Sequence, residues 1–174
     1  MEKKNVHIMY GFITGIIMVI VGLVLYLSGL AFKPGMRYIY LIPFLAGIIL
    51  NAIAYSKANN GAVTFGNVFG SCFKATMIIT LVSIAWSILS NYALPNMKEE
   101  ILAMIQKTMQ EESAKNPKMT DDTIDMVMNG YRKYWSVISV GYALIGNLFW
   151  GAIFSLIGGA AAKKNVVQPT GDNF

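Results

Sequence analysis

Five hydroxyl side chains recur at intervals of four, three, four and three residues within one long apolar stretch. Because a helix has 3.6 residues per turn, this spacing places all five on a single stripe. The stripe could line a path for an uncharged or weakly charged solute, or each hydroxyl could bond to backbone in a tightly packed helix interface. We favour packing, because no charged residue joins the stripe. Its members are Thr76, Thr80, Ser83, Ser87 and Ser90.

The other residues capable of chemistry are isolated from one another. His7, the only histidine, begins the first apolar segment, where we expect a boundary residue rather than a catalyst. Cys72 is the only cysteine, and since no His or acidic residue is near in sequence, we expect a small buried residue. Asn51 lies one turn from Tyr55, so we expect its amide to reach the membrane boundary or a neighbouring helix. The sequence predicts no catalytic, cofactor or metal site, and a protein that is not an enzyme.

The composition is that of a membrane protein. It is 55% hydrophobic and 13% charged, whereas about a quarter of the residues in soluble domains are charged. Apolar segments cover residues 5–32, 38–56, 75–97 and 134–162, and each approaches or exceeds the roughly 20 residues that a helix needs to cross a bilayer. The net charge of +5 is explained by basic residues at the segment ends rather than by nucleic-acid binding. We predict an all-α membrane protein with four transmembrane helices.

Between the third and fourth apolar segments lies a polar stretch, residues 95–133, which holds more than half of the charged residues. Pro95 ends the third segment, and Asn96 with Glu99 has the spacing of a capping box. Asn116 and Pro117 then break this helix, and Thr120 is the expected N-cap of the next. We predict a polar helical hairpin inserted between the third and fourth transmembrane helices, with a kink at Asn129 or Gly130.

Each arm of this hairpin has an apolar stripe, which could pack against the other arm, rest on the membrane or receive a partner. Mutual packing is the first expectation, although methionines make such a surface adaptable, as at binding faces. The candidate partner face comprises Met97, Ile101, Met104, Ile105, Met109, Ile124, Val127, Met128 and Tyr131.

Small residues recur on the first helix, predicted from Ile8 to Phe32, and on the last. In lipid, such stripes allow helices to approach closely. We expect packing within the bundle, with a homodimer face as the alternative. The candidate packing faces comprise Gly11, Gly15, Gly22, Gly29, Gly151, Ser155 and Gly158.

The stretch from Lys57 to Lys74 begins with a turn at Asn59, Asn60 and Gly61. Thr64 is the predicted N-cap of a short helix whose aromatic stripe, including Phe65 and Phe73, favours a position in the membrane interface. The third transmembrane helix is then predicted from Ala75 to Leu94.

These segments form one predicted domain, residues 1–164, with the hairpin at 95–133 and a disordered C-terminal tail at 165–174. Four passes place both termini on the same side. Basic residues of the short loops favour cytoplasmic termini and an external hairpin, although the Lys and Arg residues of the hairpin itself favour the reverse.

Four features of the chain occur together: four passes, the Thr64-Phe65-Gly66 to Phe73-Lys74 stretch, Pro95 before the polar insert, and a glycine-bearing last helix ended by Lys163 and Lys164. With these features the chain resembles the bacterial membrane family catalogued as domain of unknown function 4199. The resemblance implies an integral protein of the bacterial inner membrane, and it supplies no reaction, ligand or catalytic residue.

Two functions fit these features. The first is a non-catalytic membrane subunit or regulator whose external hairpin contacts another membrane or envelope protein. The alternative is a small channel or transporter component, in which the hydroxyl stripe lines a path and several copies assemble. The expected partners are the lipid bilayer and either such a protein or further copies of the chain, with no nucleic acid.

Overall fold

A computed structural model describes residues 5–31, 33, 35–115 and 120–162. Within these ranges the chain is helical and contains no strand. Its elements are α1 (Val6–Leu27), a short 3₁₀ helix (Met36–Tyr40) that leads into α2 (Leu41–Ala58), α3 (Phe65–Ala93), α4 (Pro95–Ser113), α5 (Asp121–Lys133) and α6 (Trp135–Ala161).

Four of these helices are long and apolar enough to cross a membrane: α1, α2 with its 3₁₀ start, α3 and α6. The prediction of an all-α chain with four candidate membrane-spanning helices is confirmed. The predicted tail at 165–174, the break at Asn116 and Pro117, and the terminal Lys163 and Lys164 lie outside the described residues.

Helix α3 occupies the centre of the bundle. It packs most extensively against α6 and α1, while α2 packs against all three of the other spanning helices. At the core, the rings of Phe44 on α2 and Phe154 on α6 meet edge to face, with centroids 5.2 Å apart. The outward faces of the bundle stay apolar and exposed, as at Phe12 and Ile145, which is the arrangement that lipid contact requires.

Helix α3 begins at Phe65, well before the predicted start at Ala75, and the described residues between α2 and α3 form only a turn. Thr64 is the N-cap, as predicted, and its hydroxyl accepts a hydrogen bond from the Asn67 N–H at 3.3 Å. The prediction of a separate interfacial helix is wrong. The reason is that the face carrying Val68 and Cys72 is buried in the bundle core, so this turn of helix packs with the rest of α3.

Helix α1 ends at Leu27 rather than at the predicted Phe32. The Leu30 N–H donates to the Leu25 carbonyl and the Gly29 N–H to the Tyr26 carbonyl, both at 2.9 Å. This is a Schellman motif, and it needs the left-handed backbone that Gly29 adopts at φ +67°. Gly29 therefore terminates α1 and does not belong to its packing face, which corrects the prediction for this residue.

Helix α4 begins at Pro95 and has Leu94 as its N-cap. Asn96 therefore lies inside the first turn of α4 and is not the N-cap, so the capping box predicted for Asn96 and Glu99 is not formed. Proline suits the first turn, where an N–H has no partner in the helix.

Helix α5 begins as predicted, with the Thr120 hydroxyl accepting from the Thr123 N–H at 3.4 Å. The break between α5 and α6 lies at Tyr134, with φ −109° and ψ 21°, and not at Asn129 or Gly130.

The pair formed by α4 and α5 has a small core of its own. Leu102, Ile124 and Met128 are each at most 3% exposed and pack together. The main contacts of the pair with the spanning helices are those of α4 with α3 and of α5 with α6. The pair is thus attached to the bundle mainly through the helices to which it is joined in sequence.

Glycines set the closest contacts between the spanning helices. A Cβ at Gly11 would lie 2.8 Å from the Ala75 carbonyl oxygen, and a Cβ at Gly15 would lie 2.8 Å from the Val82 Cβ. Both residues therefore bring α1 against α3, because any side chain would hold the helices apart.

On α6, Gly151 lies directly against the side chain of Thr76, and a Cβ at Gly158 would lie 3.0 Å from the Cys72 Sγ. Ser155, between them, is fully buried. Gly22 faces the ring of Tyr40. Of the predicted packing residues, all those on α6, and all those on α1 except Gly29, lie at contacts between helices.

Two further close-packing glycines were missed by the sequence analysis. Gly47 on α2 lies against Thr14, and Gly159 lies against the ring of Phe65. Gly159 continues the four-residue spacing of Gly151 and Ser155, so the sequence did contain a signal for it, whereas Gly47 is the only glycine of α2 and has no such repeat.

We predict that Gly151→Ala destabilises the bundle by about 1–3 kcal/mol, because the added methyl overlaps Thr76 at the main interface of α3. The matched control is Gly146→Ala on the same helix, where a Cβ meets nothing within 4 Å. There the change removes a helix-weakening glycine, and stability is expected to stay level or rise by up to about 1 kcal/mol. Denaturant titration in micelles, followed by circular dichroism, measures both; equal losses would contradict the packing argument.

Candidate functional site

The hydroxyl stripe of α3 is divided by its surroundings. Thr76 and Thr80 are buried in the bundle, where the Thr80 hydroxyl donates to the Thr76 carbonyl oxygen at 2.9 Å. The Thr76 hydroxyl is fully buried and has no hydrogen-bond partner among the described residues. This half of the stripe packs against α6 and does not line either of the two cavities described below.

The other half of the stripe borders a cavity of about 600 Å³. Ser83, Ser87 and Ser90 all line it, and Ser83 and Ser90 donate to backbone carbonyls of Ile79 and Ser87 at 3.0 Å. Because they are bonded to their own helix, the hydroxyls of Ser83 and Ser90 have no donor hydrogen left for a solute.

The cavity lies between α1, α3 and α6 and is covered by α4. Its α1 wall includes Met18, Val19 and Leu23, and its α6 wall includes Ile138 and Ala143. This volume falls within the range of small-molecule sites, which are mainly apolar with few polar groups. Among the residues that the structure describes, Lys98 is the only lysine, arginine, aspartate or glutamate that lines it.

The predicted partner face is divided between the cavity and the α4–α5 core. Ile124 and Met128 are buried with Leu102, which was not predicted although it lies three residues before Ile105 and seven before Met109 on the same side of α4. Met109 packs against this core, and Val127 is half-buried. The residues that line the cavity are Met97, Ile101, Met104, Ile105 and Tyr131.

Three basic residues surround a second, smaller cavity of about 390 Å³. They are Lys98 on α4 and Arg132 and Lys133 at the end of α5, all within a few residues of the ends of α3 and α6. These three residues were not predicted to form a site, although their position near the ends of two spanning segments is visible in the sequence.

The two cavities share the residues Asn91, Lys98 and Trp135. The Trp135 indole N–H donates to the Asn91 side-chain oxygen at 2.8 Å, and the Asn91 amide donates to the Ser87 carbonyl at 3.1 Å. These bonds join the start of α6 to the end of α3 and hold Asn91 and Trp135 in place, where both residues line both cavities.

A buried polar cluster lies in the other half of the bundle. The Asn51 amide donates to the Ser71 hydroxyl at 3.3 Å and to the Cys72 sulfur at 3.5 Å, so it reaches a neighbouring helix rather than the membrane boundary. Cys72 is fully buried, as expected. In the described part of the chain, no group of three His, Cys, Asp or Glu residues could hold a metal ion.

These features define the class of protein: a multi-pass helical membrane protein with a mainly apolar cavity next to a cluster of cations. A family model described as Protein of unknown function (DUF4199) matches residues 9–164. The chain therefore belongs to this family, which confirms the resemblance seen in the sequence. No curated protein and no solved structure matches the chain.

We predict that Thr76→Val leaves the stability of the bundle unchanged or raises it by up to about 1–3 kcal/mol, since an unpaired buried hydroxyl carries a cost of that size. The matched change Thr80→Val removes a hydroxyl that has an acceptor, so it is expected to be less favourable by about 1 kcal/mol. Thermal unfolding in micelles compares the two. A larger loss for Thr76→Val would mean that its hydroxyl has a partner.

Proposed function

We propose that the protein is a non-catalytic membrane subunit or regulator, in which α4 and α5 form a water-exposed helical hairpin that contacts another envelope protein. The observation that carries this proposal is that the pair buries its own core at Leu102, Ile124 and Met128. A hairpin that is stabilised internally can present its outer surface to a partner without support from the spanning helices.

The outer surface of this pair combines charge with one large exposed apolar side chain. Met126 is 71% exposed and lies between the acidic first turn of α5 and the basic residues at its end. Methionine is adaptable and is frequent at binding surfaces. The exposed pair Lys107–Glu111 lies within α4, and the exposed pair Lys115–Glu112 lies at its C-terminal end; such pairs contribute little to folding.

The proposed location is the bacterial inner membrane, with both termini in the cytoplasm and the hairpin outside. The four long apolar helices support a membrane location, and the orientation is supported by Lys57 and Lys74, which lie at the end of α2 and in the early turns of α3. This orientation places the α2–α3 turn and the hairpin on opposite sides.

Cysteine labelling tests this orientation, because the native Cys72 is fully buried and gives little background. We predict that a membrane-impermeant maleimide labels Asp122→Cys in intact spheroplasts and labels Ala62→Cys only after the membrane is opened. Both positions are exposed. The opposite pattern would reverse the orientation and place the hairpin in the cytoplasm.

Site-specific photocrosslinking at natural expression level tests the partner. With a photoreactive residue in place of Met126, we expect an adduct of one defined mass that contains a second protein at fixed stoichiometry. The matched control is Met77, which is 50% exposed on the spanning helix α3 and is expected to crosslink to lipid. Lipid adducts alone at both positions would contradict the proposal.

The cavity favours one alternative, a small channel or transporter component that works as an oligomer. Ser83, Ser87 and Ser90 border space that a solute could enter. Replacing Thr80, Ser83 and Ser87 together with Val, Ala and Ala should abolish solute flux into liposomes under this alternative. Under the first proposal the same variant keeps the Met126 adduct.

A further inference from the structure

The larger cavity extends from the end of the bundle into the depth of one membrane leaflet. Its lining runs along α3 from Leu94 to Ser83 and along α6 from Trp135 to Ala143. At 1.5 Å per residue these segments are about 16 Å and 12 Å long. Because half of the hydrocarbon layer measures about 15 Å, the cavity is about as deep as one leaflet.

The deep walls of this cavity suit an apolar chain. The α1 side offers Met18, Val19 and Leu23, and the α4 side offers Met97 and Ile101. On α3, Ser83 and Ser90 have already satisfied their hydroxyls at backbone carbonyls. These two hydroxyls therefore offer a polar solute no free donor, whereas a hydrocarbon chain needs none.

The mouth of the cavity suits an anion. Lys98, Arg132 and Lys133 come from two different helices and surround the adjoining smaller cavity. None of the three forms an ion pair with a carboxylate among the described residues. Glu100 contacts one residue of the cavity lining, since its carboxylate accepts a hydrogen bond from the Tyr26 hydroxyl at 3.4 Å.

Basic residues beside span ends often only extend their charges to water. A preference for water explains why each cation lies near a span end. It does not explain why three of them line one small cavity, next to an apolar cavity that is about as deep as one leaflet. Basic pockets between transmembrane helices on the cytoplasmic side bind anionic lipid headgroups, and the same attraction between cations and a phosphate applies to this pocket at the ends of α3 and α6, whichever side of the membrane it faces. The shared walls at Asn91 and Trp135 connect the two compartments.

We propose that this composite site binds one anionic phospholipid, with an acyl chain in the larger cavity and the phosphate among Lys98, Arg132 and Lys133. This goes beyond the proposed function, since it requires no protein partner. Its test uses the purified chain alone, so its failure would leave the partner proposal untouched.

Fluorescence quenching provides the assay, because Trp86 and Trp135 line the cavity whereas Trp150 packs against Phe154 in the core. The purified protein in neutral micelles is titrated with phosphatidylglycerol brominated on its acyl chains, and separately with phosphatidylcholine brominated in the same way. We expect saturable quenching by phosphatidylglycerol at a concentration at least about tenfold lower. Equal quenching by the two lipids would overturn the proposal.

The cationic part is tested with the triple variant K98Q/R132Q/K133Q. Each cation removed is expected to weaken phosphatidylglycerol binding about fivefold, or about a hundredfold for all three. The matched control, K57Q/K107Q/K115Q, removes the same charge at exposed positions outside both cavities and should retain binding. Equal weakening by both variants would mean general surface attraction and would overturn the site.

The apolar part is tested with Ala143→Phe, which fills the cavity, against Ala160→Phe on the exposed face of the same helix. Only the first should abolish quenching. Inorganic phosphate distinguishes a lipid from a free anion. If phosphate displaces the brominated lipid at equal concentration and Ala143→Phe has no effect, the site belongs to a free anion and the lipid assignment is wrong.

Discussion

The close approach of α3 to its neighbours is the constraint on which the rest of this structure depends. Hydrophobicity does not drive helices together in lipid, so van der Waals contact must do so. Contact of that kind is made where Gly151 meets Thr76, where Gly158 meets Cys72 and where Gly11 meets Ala75. Toward the start of α6 the pattern changes, because Ile138, Ser139 and Ala143 there line the large cavity. There the helices leave the space that becomes the large cavity.

Two turns of the backbone between helices then position α4 over this space. Between α3 and α4 the chain turns at Leu94, and between α5 and α6 it turns at Tyr134. These turns bring the apolar side of α4 over the cavity and, at the same time, place Lys98 and Lys133 at its edge. The polar insert therefore has two structural roles: its inner residues stabilise the pair of α4 and α5, and residues near its ends complete the walls of the two cavities.

The sequence was sufficient for features that depend on local chemistry. Span number follows from apolar length, and Thr64 and Thr120 were identified as N-caps because a hydroxyl there satisfies an N–H of the first turn. Features that depend on tertiary contacts could not be obtained in this way. The three- and four-residue spacing of apolar residues at Phe65–Phe73 fits a helix in the membrane interface as well as a helix in the protein core. Only the contacts of Val68 and Cys72 in the structure show that this helix is in the core. The cavity likewise exists only between helices, so no periodicity in one of them could predict it.

The length of α3 has a consequence for how the protein meets its bilayer. Its 29 residues correspond to about 43 Å at 1.5 Å per residue, whereas the hydrocarbon layer is about 30 Å thick. A helix of this length fits by tilting, by extending into the headgroup layer or by locally thickening the lipid. Since α3 also forms one wall of the large cavity, a change in the thickness of the surrounding membrane acts on the helix that sets the shape of this cavity.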